Sequence, residues 1–91
     1  SRAAVQGHVE AQFLMGVMYA NGWGLEVDAV QAADWMQKAA QQGHAEAQYN
    51  LAVMYNEGRG IPSDRMKAKA WLKKAIGQGH QRAGKLLATL Q

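Results

Sequence analysis

Apolar and small residues recur along this chain at steps of three and four, the spacing that collects them on one side of an α-helix. Ala47, Leu51 and Tyr55 follow that step, flanked by Gln48 and Met54. Ala52 lies beside the stripe and is small enough to let a partner helix come close. Ala11, Met15, Gly16 and Tyr19 repeat the arrangement nearer the N-terminus. Ala68, Trp71, Leu72, Ala75 and Ile76 form another stripe, predicted to be the buried face of the helix that carries them. Breaks fall where the residue chemistry demands them. Gly58-Arg59-Gly60 closes a helix because glycine tolerates the left-handed conformation, and Pro62 suits the loop that follows. Asp28 and Asp64 are good N-caps, and Gly43 and Gly79 punctuate helix ends. The pattern predicts helices over 8–21, 28–42, 44–57, 64–78 and 80–90, with a short remnant at 1–6.

The same pattern is written twice at an offset of 36 residues, with sixteen of 36 aligned positions identical. Gly7-His8-Val9-Glu10-Ala11-Gln12 returns as Gly43-His44-Ala45-Glu46-Ala47-Gln48, and Trp35-x-x-Lys38-Ala39 as Trp71-x-x-Lys74-Ala75. A fixed period of this size marks stacked repeats that each contact only their neighbours. With two antiparallel helices per unit, the expected fold is all-α, an α-solenoid. One repeat domain is expected over 1–91, divided into a repeat tail at 1–6, repeats at 7–42 and 43–78, and the first helix of a third or capping repeat at 79–91. Arg2 to Gln6 aligns with Lys38 to Gln42, so the chain reads as a piece of a longer protein.

The residues Ala47-x-x-x-Leu51-Ala52-x-x-Tyr55, Gly58-x-Gly60-Ile61, Asp64, Lys67-Ala68, Trp71, Lys74-Ala75 and Gly79-His80 resemble the Sel-1-like repeat family, a relative of the tetratricopeptide repeats. The match covers nearly the whole chain; Met15 stands where Leu51 does, Phe13 where Tyr49 does, and Gly84 takes the glutamine position of the third unit. The resemblance implies a scaffold or adaptor, most often bacterial, that binds a protein or peptide. It leaves periplasm, envelope and cytoplasm all open. A structural spacer or assembly segment of a larger repeat protein is the alternative it allows.

The face opposite the inward stripe is where a partner would lie. At 100° per residue it carries Glu46, Tyr49, Val53 and Asn56 in the second copy, and Glu10, Phe13 and Val17 in the first. Arg82 and Lys85 hold the equivalent places in the third. In the related tetratricopeptide fold this face lines the concave groove that takes peptides. Phe13, Val17, Tyr49 and Val53 form either an exposed binding strip or inter-repeat packing. Trp23, between two glycines in a loop, is a candidate contact residue that could equally fold back over its own repeat.

Other features read as structural. His8, His44 and His80 sit one period apart, too far for a shared metal, and are expected to act at helix starts. Arg65, Lys67, Lys69, Lys73 and Lys74 read as a solvated convex face, without the aromatic platforms of a nucleic-acid groove. Trp35 and Trp71 are expected in the core at the seam between units. The two Gly-x-Gly pairs follow helices and lack the third glycine of a phosphate loop. With Ser only at 1 and 63, Thr only at 89 and no Cys, no nucleophile meets a base, so no enzyme, cofactor or metal is expected. Hydrophobic content of 48% supports a core, and no apolar run is long enough for membrane insertion. Incomplete units at both ends would bare apolar helix faces and favour end-to-end self-association.

Overall fold

The computed structural model describes residues 2–24 and 26–90, with side chains from His8 onward. Within them the chain forms α1 (Arg2–Asn21), α2 (Ala29–Gln41), α3 (Ala45–Glu57), α4 (Arg65–Ile76) and α5 (Gln81–Leu90), and no strand. Each helix packs against the next in sequence, so α3 lies between α2 and α4. The first helices of the units are α1, α3 and α5, and the second helices are α2 and α4.

Local chemistry sets the helix ends. The Asp28 carboxylate accepts from the Gln31 N–H and the Asp64 carboxylate from the Lys67 N–H, both at 3.1 Å, which satisfies donors that a helix start leaves free. Gly58 takes φ 69°, and its N–H returns to the Met54 carbonyl to close α3. From α2 to α5 the helices match the predicted spans within two residues once the caps are counted.

The predicted break at Gly7 is absent: residues 2–21 form one helix, so the expected remnant runs straight into the first repeat. His8 consequently lies inside α1 rather than at a helix start. Glycine permits a reversal without imposing one. At Gly43 and Gly79 the chain turns because the next helix packs back against the one just ended. The alignment of residues 2–6 with 38–42 concerns side chains outside the described ones.

The core is built mainly of alanine. Ala32, Ala33, Ala39, Ala40, Ala47, Ala52, Ala68, Ala75 and Ala83 are buried, and Leu51 and Leu72 are the largest side chains fully enclosed. Small residues at the crossings let the helices approach closely, and dispersion over many short contacts replaces a few large anchors. One crossing shows how tight the fit is. A β-carbon on Gly16 would lie 3.0–3.2 Å from the Met36 side chain, whereas the second copy pairs Ala52 with the shorter Leu72.

Several residues depart from the predicted core. Trp35 and Trp71 are only half-buried, and Lys38 and Lys74, three positions on, lie over their rings at 4.5 and 4.6 Å. Ile76, in the last turn of α4, is 37% exposed. Ala47 is enclosed between α2 and α4, but its counterpart Ala11 is exposed and Met15 and Tyr19 are half-buried, since α1 packs mainly against α2.

The loop of the second unit leans on the first. A β-carbon on Gly60, whose φ is 73°, would overlap the Ala29 carbonyl and lie 2.9 Å from the Val30 nitrogen. Gly24, the equivalent residue one unit earlier, has φ 76° and nothing within 4 Å of the same point. Gly24→Ala is therefore expected to cost about 1–2 kcal/mol, the left-handed penalty alone. Gly60→Ala should exceed it by at least ~1 kcal/mol, because the backbone overlap is added. Urea unfolding of the two variants measures the difference, and equal losses would show that the second loop does not brace α2.

Candidate functional site

The residues predicted to form one continuous strip divide into a tied half and an open half. The tied half is centred on His44 and His80, the residues just before α3 and α5. His44 Nδ1 accepts from the Ala47 N–H at 3.0 Å, and His80 Nδ1 accepts from the Ala83 N–H at 3.1 Å. With Nδ1 accepting, the neutral ring carries its hydrogen on Nε2. That nitrogen lies 2.9 Å from the Glu10 carboxylate in His44 and 3.0 Å from the Glu46 carboxylate in His80. Each histidine thus caps its own helix and donates to the preceding repeat.

The aromatic residue three positions after each glutamate completes the arrangement. Phe13 stacks on His44 with centroids 4.5 Å apart, and Tyr49 on His80 at 4.7 Å. A glutamine ladder runs beside them: Gln42 Nε2 donates to Gln12 Oε1, and Gln78 Nε2 to Gln48 Oε1 at 3.0 Å. The buried Gln48 also donates to the Ala40 carbonyl, so its amide spans two helices and the next unit. At the second junction Arg82 adds a charge-assisted bond to Glu46 at 2.7 Å and sits 5.0 Å from the Tyr49 ring. Glu10, Phe13, Glu46, Tyr49 and Arg82 are therefore drawn into inter-repeat contacts. His8, inside α1, bonds instead with Gln12 of its own helix.

The open half lies further along the same helices. Val17 and Ala20 of α1 and Val53 and Met54 of α3 flank a cleft of about 190 Å³. Ala32 and Met36 of α2 form its floor, and Asn21, Asn50 and Arg59 bring polar groups to its rim. Asn56 is half-buried, and Lys85 is exposed on α5. Trp23 is 61% exposed, so its ring does not fold back over its own repeat. Arg65, Lys67, Lys73 and Lys74 are exposed on α4, and Lys69 is half-buried. No helix among the described residues is long and apolar enough to cross a membrane.

The histidine contacts could be read only in part from sequence. Their place at helix starts follows from the Gly-His pairs, but their reach to Glu10 and Glu46 spans 34 residues and depends on the stacking geometry. Recurrence of Glu, aromatic and His in fixed register was the available signal.

Glu46 supplies a pH-dependent test. Burial alone would raise its carboxyl, but hydrogen bonds from His80 and Arg82, helped by the Arg82 charge, outweigh it and hold the group below its ordinary 4.5. A carboxyl lowered on folding stabilises the native state fully above pH 4.5, and that contribution disappears as pH falls through the lower folded value. The Glu46→Gln variant is expected to lose stability less steeply below pH 4.5 than the parent chain in urea unfolding across a pH series. At the cap itself, His80→Ala should cost about 0.5–2 kcal/mol. His80→Asn should restore much of that loss by capping Ala83, without recovering the bond to Glu46. Equal losses in the two variants would mean that the cap adds nothing.

The architecture has known counterparts. The family model described as Sel1 repeat matches residues 9–44 and 45–80. A Sel1 repeat protein from Oxalobacter formigenes superposes with a TM-score of 0.87 at 40% identity, over 89% of this chain and 61% of that one. The protein c5321, described as a protective antigen of uropathogenic Escherichia coli with an SLR fold, gives 0.78 at 44% identity over 86% of this chain and 17% of its own. The chain thus spans less than two thirds of either relative, and both relatives are bacterial. A search of curated protein sequences returned no match. Sel1 repeats are generally protein–protein interaction modules. Two consecutive matches over residues 9–80, on a stack of paired helices of that fold, place this chain in the Sel1 repeat family.

Proposed function

We propose that this chain is a scaffold module that holds a peptide or partner helix on the concave side of its first helices. The supporting observation is the cleft between Val17 and Val53. Its volume of about 190 Å³ is small against the roughly 300–1,000 Å³ of small-molecule pockets. It suits one or two apolar side chains of a longer segment, with the rest of that segment lying across the neighbouring helices. Asn21, Asn50 and Arg59 at the rim offer hydrogen bonds to a peptide backbone. The exposed Trp23 lies in the loop after α1 and extends the contact, as aromatic side chains dominate interface energetics.

Affinity on this reading comes from Val17, Val53, Asn56 and Lys85. Glu10, Phe13, Glu46, Tyr49 and Arg82 border the groove while holding its walls together. Replacing Phe13 or Tyr49 would therefore loosen the junctions as well as remove contact area, so the cleft valines are the cleaner test. The role is scaffolding rather than turnover.

The experiment selects peptides from a display library against the parent chain and titrates the best binder by NMR. Val17→Asp with Val53→Asp is expected to weaken it by about tenfold or more, as for loss of a central apolar anchor. Helical circular dichroism should stay unchanged. Shifts should centre on Val17, Asn50 and Val53. Undiminished binding by the double variant, or shifts confined to α2 and α4, would overturn the assignment.

A further inference from the structure

Charge is divided along this chain in a way its mild net value conceals. All seven Asp and Glu lie at or before Asp64, and seven of the ten Lys and Arg lie from Arg65 to Lys85. Residues 1–64 therefore carry three cations against seven acids, a net of −4, and residues 65–91 carry +7. Six of the seven acids are already engaged, and the seventh, Glu26, is exposed in the loop before α2. Asp28 and Asp64 cap helices, Glu10 and Glu46 hold histidines, and Asp34 and Glu57 pair with Lys38 and Arg59. The five cations of α4 have no ion-pair partner among the described residues, and α4 contains no acid. The unmatched charge on α4 is thus positive, and no described residue complements it.

Its placement is specific. Taking about 100° per residue, Met66, Ala70, Lys73 and Gly77 point directly away from the buried Ala68, Leu72 and Ala75. All four are exposed, Met66 to 74%. Their steps of four, three and four form a straight seam of the kind along which a second helix packs, and two of the four are small. Lys67 and Lys74 flank the seam on one side and Lys69 on the other. The stacking of repeats does not require this surface. The equivalent seam of α2 reads Val30, Asp34, Gln37 and Gln41, with Gln31 and Ala33 in place of Lys67 and Lys69. Val30, Asp34 and Gln41 stay exposed although a further repeat follows them, so most of this seam is open within the array, while Gln37 is half-buried and Ala33, the equivalent of Lys69, is buried.

We propose that the outward face of α4 docks an acidic α-helix of a partner protein, with small or apolar residues facing Met66, Ala70 and Gly77 and carboxylates beside Lys67, Lys69 and Lys74. This interaction uses the convex side and is independent of the concave cleft. A nucleic-acid strand fits less well, because the seam has no open aromatic ring on which a base could stack; Trp71 is covered by Lys74. A membrane surface also fits less well, since Met66 is the one bulky apolar side chain on the seam itself.

The test uses a synthetic helical peptide with a leucine and alanine seam flanked by glutamates, and a scrambled peptide of the same composition. Binding is measured by NMR at about 0.15 M salt, where long-range attraction is largely screened. The helical peptide is expected to shift α4 resonances and to bind about tenfold more tightly than its scramble, since the two carry equal charge. Lys67→Glu with Lys74→Glu should abolish binding. Ala70→Arg is the decisive variant. It adds positive charge but blocks the seam, so docking should weaken, whereas unspecific attraction would strengthen. Equal affinity for the scramble, tighter binding by Ala70→Arg, or stronger binding to a single-stranded oligonucleotide or to phosphatidylserine vesicles would each overturn the proposal.

Discussion

Close approach between helices, made available by alanine at nearly every crossing, is the constraint on which this structure rests. Among the described residues, nine of the fifteen buried apolar residues are alanines, and Leu51 and Leu72 are the largest fully enclosed side chains. An alanine methyl brings little transfer free energy, about 0.8 kcal/mol for a group of that size. The stack therefore relies on many short contacts in register, and register has to be held by something more directional than apolar burial. Small crossings also keep the layers thin. The outward face of α4 and the cleft between α1 and α3 are distinct surfaces of one short chain.

The directional component is the polar seam joining one repeat to the next. His44 and His80 satisfy a helix start with one ring nitrogen and the preceding glutamate with the other, while an aromatic ring supports the flat face. Gln48 donates to Ala40 and accepts from Gln78, so a buried amide carries the contact inward. Because these groups are mutually satisfied, the tied part of the first-helix face has little left to offer a ligand. On the proposed function, recognition falls instead to Val17 and Val53, which line the cleft.

Features governed by neighbours in sequence were legible from sequence, and features governed by neighbours in space were legible only partly. Asp28, Asp64 and Gly58 act as caps because each bonds within a few residues of itself. The inward set Ala47, Leu51 and Tyr55 follows from helical spacing alone. Trp35 and Trp71 misled because large aromatic residues at a helical step suggest full burial, and the lysines three positions later complete their cover instead. Ala11 has the identity and register of Ala47 but not its surroundings, a difference that no periodicity can register. The strip from Glu10 to Lys85 was identifiable as a face, but its division into tied and open parts depends on bonds that span a whole repeat.

The exchange of side-chain volume at Gly16 and Met36 bears on how such arrays can be recombined. The first unit places its bulk on the second helix and its void on the first, and the second unit shares the volume more evenly between Ala52 and Leu72. A chimaera spliced inside a hairpin would join Ala52 to Met36, crowding one junction, or Gly16 to Leu72, hollowing it. Splices at the turns after α2 or α4 keep each matched pair intact. The inheritable part is thus the hairpin rather than the helix, and duplication in this lineage would be tolerated best in steps of whole hairpins.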